Sequence, residues 1–244
     1  MREPGSPINL AICVPCMGKV DTLFAYDLAQ MVAFTTAVMP ENCSIGIHMS
    51  IATYIHKART EILQDALEQG ATHILWLDSD MRFPKDTAIR LLQRQVPFVG
   101  INYSTRVMPP GFVGIKRVPR GDDPTDGERL QTTDATTGLE ECDALGFGAF
   151  MMEAAPLSRL PDPDYTPWFW FEKTEFGQTI GEDVYFCLKM IQDHLGERIF
   201  CDQDLSKECG HLGQFEYKFY HPETTQEVRE EYLASLEGDD GVGN

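Results

Sequence analysis

The chain has no apolar run approaching the roughly 20 residues that cross a bilayer. Its opening stretch, MREPGSPINL, lacks the apolar centre of a secretory signal. The expectation is a protein without a membrane span, in the cytoplasm, or in the host cytoplasm if it is viral. Positive charge is scarce: Lys and Arg number 20 against 38 Asp and Glu, a net charge of -18. Phosphate contacts along a nucleic acid need concentrated Lys and Arg, so a broad nucleic-acid-binding face is excluded, though not a local basic patch. A disulfide framework is missing too, because seven cysteines, an odd number, read as reduced thiols. Cys13 and Cys16 form a C-x-x-C that reads as a buried thiol pair rather than a redox site. Cys201 and Cys209 are spaced too irregularly to complete a zinc site with it.

What the chain does have is the run THILWLDSDMRFP, residues 72–84. Ile74, Leu75, Trp76 and Leu77 are bulky or β-branched without a polar interruption, as in a strand of a parallel sheet covered on both faces. The run breaks off into Asp78 and Asp80. If the chain stays extended there, both acids point to one side and Ser79 to the other. Two carboxylates aimed at one place repel unless a cation sits near them, and a hard divalent ion with oxygen ligands is the simplest resolution. Open α/β sheets bind ligands at the carboxyl ends of their strands, which is where these acids fall.

The first part of the chain alternates strand and helix. Residues 8–14 form an apolar strand ended by Pro15, with a turn at Gly18. Helical spacing covers residues 22–38, a strand 43–49, and an amphipathic helix 55–69 stopped by Gly70. A short helix over 86–94 and a strand over 98–102 follow the acids. This is the pattern of a parallel βαβ sheet. Residues 103–140 lose periodicity and read as a long loop or small excursion, with Arg106, Lys116, Arg117 and Arg120 as the one locally basic region. Apolar material returns over 142–153, where Gly146 and Gly148 tolerate close approach. The aromatic run Trp168 to Phe171 suits either core or a platform for sugar rings. Glu182 and Asp183 open a helix whose apolar face runs from Val184 to Leu195, where acids also complement the helix dipole. Residues 199–202 read as a last short strand, His211 as a loop residue between two glycines, and residues 221–244 as a charged helix and tail apart from a main domain over 1–220.

Together, ICVP, YIHKAR ending at Arg59, GATHILWLDSDMRFP, VGINYSTR, ALGFGAFMM, GEDVYFCLKM and CGHLG resemble the GT-A fold glycosyltransferases, closest to the family 2-like group and its small phage-encoded members. The resemblance covers residues 8 to about 215. It implies an α/β, Rossmann-like GT-A fold: a mostly parallel sheet sandwiched by helices in a single domain. It also implies a nucleotide-diphosphate sugar donor. By position, Asp80 would bind the donor diphosphate through Mn²⁺ or Mg²⁺, Asp78 would act through the ribose or the same metal, and His211 would complete the metal shell. Pro15, Arg59 and Ser79 fall in the donor pocket. Gly146, Gly148 and Trp170 fall on the acceptor side, and Asp183 would be the general base with Glu182 beside it. Thr60 stands where family members often have Asn.

The chemistry is coherent without the family. A departing diphosphate develops charge that a metal stabilises, and a hydroxyl becomes nucleophilic when a carboxylate takes its proton. Three other readings compete: a phosphatase-like enzyme with Asp78 as nucleophile, a sugar nucleotidyltransferase, and a non-catalytic nucleotide-sugar-binding protein. The first usually carries its Asp-x-Asp after the first strand, and here it follows the third. The second calls for a Gly-rich basic loop after strand one, where VPCMGKVD has a single Gly and a single Lys. The acceptor stays open among glycan, protein, small molecule and modified DNA base.

Overall fold

The computed structural model describes residues 6–51, 53–107, 109–118, 127–173, 177, 179–213 and 216–218. The expected C-terminal helix and tail, with the boundary at 220/221, lie outside them, as does Arg120. The first half follows the expected alternation: β1 (Asn9–Cys16), α1 (Thr22–Val38), β2 (Ser44–Ile51), α2 (Ile55–Glu68), β3 (His73–Leu77), β4 (Met81–Arg82), α3 (Thr87–Gln93) and β5 (Phe98–Gly100). The stretch expected as a loop holds a small hairpin, β6 (Ile115–Arg117) with β7 (Glu128–Arg129), and then β8 (Leu139–Cys142). After it come β9 (Ala149–Glu153), α4 (Ala154–Leu157) and the hairpin β10 (Glu172–Lys173) with β11 (Thr179–Ile180). Next are α5 (Glu182–Tyr185), β12 (Ile199–Asp202), α6 (Gln203–Ser206), β13 (Gly210–Leu212) and β14 (Glu216–Lys218). The helix expected from residue 182 onward is α-helical for one turn and then continues as a π-helix, Phe186–His194.

Seven strands make the central sheet in the order β2-β1-β3-β9-β5-β12-β8. β2, β1, β3, β5 and β12 point one way, and β9 and β8 run against them. The domain is a single mixed α/β body with helices on both faces, as expected. The departure is β9, wedged antiparallel between β3 and β5 (Leu75↔Met151, Val99↔Met151). Its apolar run gave no sign of direction, since periodicity is blind to it.

Side-chain alternation sorts the core into two layers. Leu10, Ile12, Val14, Leu75 and Leu77 pack with Phe24 and Met31 of α1. Ala11, Cys13, Ile74 and Trp76 pack with Ile62, Leu63 and Ala66 of α2 and with the π-helix. Pro15 does not end β1, which stays paired with β2 through Cys16↔Ile51. On its other side β1 pairs with β3 only to Cys13↔Trp76, so the N–H that Pro15 lacks is not missed in that ladder. All seven cysteines are free thiols, and burial raises Cys13, Cys142, Cys187, Cys201 and Cys209 above the ordinary thiol range.

A buried polar knot ties the irregular stretch to the sheet. The Asn102 amide donates to the carbonyl of Leu130 and the hydroxyl of Thr132, both at 3.0 Å, and accepts from the Gly114 N–H at 2.9 Å. Thr132 in turn donates to Gln203 at 2.8 Å. Asn102→Ala strands these partners away from water, and urea denaturation is expected to show a loss of roughly 2–4 kcal/mol.

Candidate functional site

The carboxyl ends of β1, β3 and β5 open into a cleft of about 410 Å³. Pro15, Asp78, Ser79 and Asp80 line it, and Glu182, Asp183 and His211 join them from the far side of the chain. Arg59 reaches the same wall from α2. Eight of the residues singled out in the sequence are thus gathered in one place. Gly146, Gly148 and Trp170 are not part of that lining. The two glycines lie under the ring of Tyr103. Trp170 is half exposed and meets the edge of His56 at 5.4 Å, one residue from the lining residue Ile55.

The Asp-Ser-Asp segment is not extended. β3 stops at Leu77, and the Met81 N–H donates to the Asp78 carbonyl at 3.2 Å, closing a turn. Alternation therefore does not apply, and Ser79 faces the cleft with its neighbours. Each of the two acids has a guanidinium of its own. Asp78 Oδ1 accepts from Arg59 Nη2 at 2.8 Å, and Asp80 Oδ2 accepts from Arg106 Nη1 at 2.6 Å.

Arg59 is 1% exposed. Its Nε donates to Glu182 Oε1 at 3.2 Å, and its guanidinium rests against the stacked pair of Trp76 and Phe147, 5.2 Å from each ring centroid. Burial works against its charge, but Asp78, Glu182 and Asp183 outweigh that and hold its pKa above the usual value. Burial and the charge of Glu182 push the Asp183 carboxyl up to about 6, against the lowering pull of Arg59 and of the Val184 N–H. The two acids at the start of α5 therefore differ: Glu182 is turned inward onto Arg59, while Asp183 forms no ion pair among the described residues.

His211 sits on β13 rather than in a loop, because β13 pairs with β4 (His211↔Met81) and the Leu212 N–H donates to the Asp80 carbonyl at 2.7 Å. Its Nδ1 donates to the carbonyl of Ser104 at 3.0 Å, which leaves Nε2 facing Asp80 Oδ1 at 3.5 Å. Burial opposes ionisation of Asp80, but the hydrogen bond and charge of His211, with Arg106, bring its pKa below the usual value. Among the described residues no three acidic, imidazole or thiol groups are gathered as a metal set. One carboxylate and one imidazole nitrogen face each other, and they suit a divalent ion whose remaining positions are filled by ligand oxygens and water. Asp78 accepts from Arg59 on one oxygen.

The sequence reading missed Tyr103 and named Arg106 only as one residue of a locally basic stretch. Both stand just beyond the carboxyl end of β5, in the VGINYSTR run, where ligand-facing residues are expected in such a sheet. Of the other basic residues there, Lys116 is bonded to Glu140 at 2.7 Å.

No protein-family model matches the chain, and no curated protein matches it. Among solved structures, the chain is similar in fold to A197 from STIV, with a TM-score of 0.53 and 16% identity over 84% of this chain and 86% of that one. The seven-stranded α/β domain is consistent with a Rossmann-like GT-A fold. A weaker likeness, TM-score 0.32 and 16% identity over 62% of this chain and 63% of the other, is to a glycosyltransferase involved in the glycosylation of the major capsid of PBCV-1. It is too slight to bear on fold or activity. No helix among the described residues is long and apolar enough to cross a membrane.

Arg59→Leu leaves Glu182 and Asp78 without their cation inside the wall. Removing one partner of a buried pair costs about 3–5 kcal/mol, and chemical denaturation of the variant is expected to show a loss of that size.

Proposed function

We propose that the protein is a metal-dependent glycosyltransferase that moves a sugar from a nucleotide-diphosphate sugar to an acceptor hydroxyl. The observation that carries this reading is the convergence of the Asp78-Ser79-Asp80 turn, the Glu182–Asp183 pair and His211 on one cleft at the carboxyl ends of the strands. Asp80 and His211 would hold Mn²⁺ or Mg²⁺. When bound, that ion neutralises charge on the departing diphosphate. Lys19 and Arg106, also in the lining, offer further positive charge to phosphate oxygens.

Asp183 takes the proton from the acceptor hydroxyl. A base with a pKa near 6 is ionised at neutral pH yet basic enough to receive a proton as the bond to the sugar forms. Glu182 and Arg59 hold the start of α5 and so fix where Asp183 stands. The phosphatase-like alternative needs Asp78 as a free nucleophile. Its ion pair with the buried Arg59 argues against that.

The test has two arms. In a thermal-shift screen against uridine, guanosine, cytidine and adenosine diphosphates and their sugars, one nucleotide is expected to raise the melting temperature only together with Mn²⁺. No shift with any of them overturns the proposal. For the sugar nucleotide that binds, release of the nucleoside diphosphate, with water as acceptor if no other is known, is expected to rise with pH through about 6 as Asp183 loses its proton. Asp183→Asn should leave the thermal shift intact and lower turnover by about 10²–10⁴-fold. Full turnover in that variant removes Asp183 from the role.

A further inference from the structure

In the free protein Asp80 already holds a cation. Arg106 Nη1 donates to its Oδ2 at 2.6 Å, while His211 Nε2 stands 3.5 Å from Oδ1. A guanidinium carries five N–H donors, and among the described residues Asp80 is the one group to which Arg106 is bonded. Its other donors are unclaimed, in a side chain that lines the cleft.

The local backbone keeps Arg106 there. The Thr105 N–H donates to the Gly111 carbonyl at 2.8 Å, and the Gly111 N–H returns to the Thr105 hydroxyl at 3.0 Å, which closes the loop that carries Arg106. Its stem has room because residue 213 is glycine. A Cβ on Gly213 would come within 3.2 Å of Arg106 Cδ.

A guanidinium on Asp80 repels a divalent ion at the same carboxylate, unless an anion comes between the two cations. A diphosphate is such an anion, and its oxygens match the fork of an arginine. The cost of letting go is small, since the Arg106 side chain is 50% exposed and that of Asp80 30%, so water screens their pair. We propose that Arg106 is a phosphate-binding residue held in store on Asp80: the arriving diphosphate draws its guanidinium away and so clears the carboxylate for the ion. Nucleotide and ion then bind cooperatively, each raising the affinity for the other by the same factor. This deepens the reading of the cleft as a metal-dependent nucleotide-sugar site and rests on it.

The test uses the whole chain and its Arg106→Gln variant, with Lys19→Gln as a control that removes a charge from the same lining without touching Asp80. Electron paramagnetic resonance of free Mn²⁺ gives the affinity for the ion alone. Calorimetry with UDP, GDP, CDP and ADP in the presence of Mn²⁺ gives the affinity for the diphosphate. Arg106→Gln is expected to bind Mn²⁺ alone about two- to fivefold tighter than wild type and its diphosphate about tenfold more weakly. Lys19→Gln is expected to weaken the diphosphate without the same gain in Mn²⁺. Losses on both ligands in Arg106→Gln, which would mark a structural role, overturn the proposal. So does an unchanged affinity for either ligand, or an equal gain in Mn²⁺ affinity in Lys19→Gln. Wild type that binds none of the four diphosphates with Mn²⁺ present overturns the nucleotide-sugar reading itself, and this role of Arg106 with it.

Discussion

The arrangement depends on a guanidinium buried under the cleft. Arg59 leaves α2 inside the core, where an unpaired charge would be prohibitive, and it is tolerated because two acids from distant parts of the chain come to it. One is Asp78, just past β3, and the other is Glu182, at the start of α5. The rings of Trp76 and Phe147, stacked on each other, pack against it. A single side chain thus fixes helix, strand end and second helix relative to one another. Both acid-bearing segments of the cleft hang from it.

The same logic of forced proximity runs through the antiparallel insertion. β9 has to follow a sharp approach to the sheet, and the glycines before it, Gly146 and Gly148, leave room for Tyr103 to lie flat against the backbone. Tyr103 then backs His211, whose ring is oriented by the Ser104 carbonyl and whose strand is tied to the carbonyl of Asp80. Loss of any one of these contacts would move the imidazole and the carboxylate that face each other at 3.5 Å. The wall is cooperative because it is made of backbone and ring contacts rather than of surface ion pairs.

How much of this the sequence carried follows from what periodicity and composition can encode. β1, α1, α2 and β3 were legible to within a residue or two, since each has a strong apolar pattern and a stop such as Gly70. The direction of β9 was not, because an apolar run such as AFMME reads alike in either sense. His211 looked like a loop residue because its pairing partners are two-residue and three-residue strands, too short to leave a pattern. The acids were found as candidates from their place at a strand end. Their partners were not, because Arg59 lies 19 residues from Asp78 and 123 from Glu182, a distance that only the folded chain closes.

Asp78 and Asp80, two residues apart at the end of one strand, each have a guanidinium of their own, and the two pairs differ. In the pair between Asp78 and Arg59 the arginine side chain is 2% exposed and the aspartate 23%, so breaking it leaves the buried guanidinium with Glu182 alone. The pair between Asp80 and Arg106 is different: the arginine side chain is 50% exposed and the aspartate 30%, so water screens it and it contributes about 0–1 kcal/mol. Asp78 is tied to the buried cation on one oxygen. Asp80, with His211 beside it, has the more exposed of the two cationic partners, and that pair is the weaker one to break.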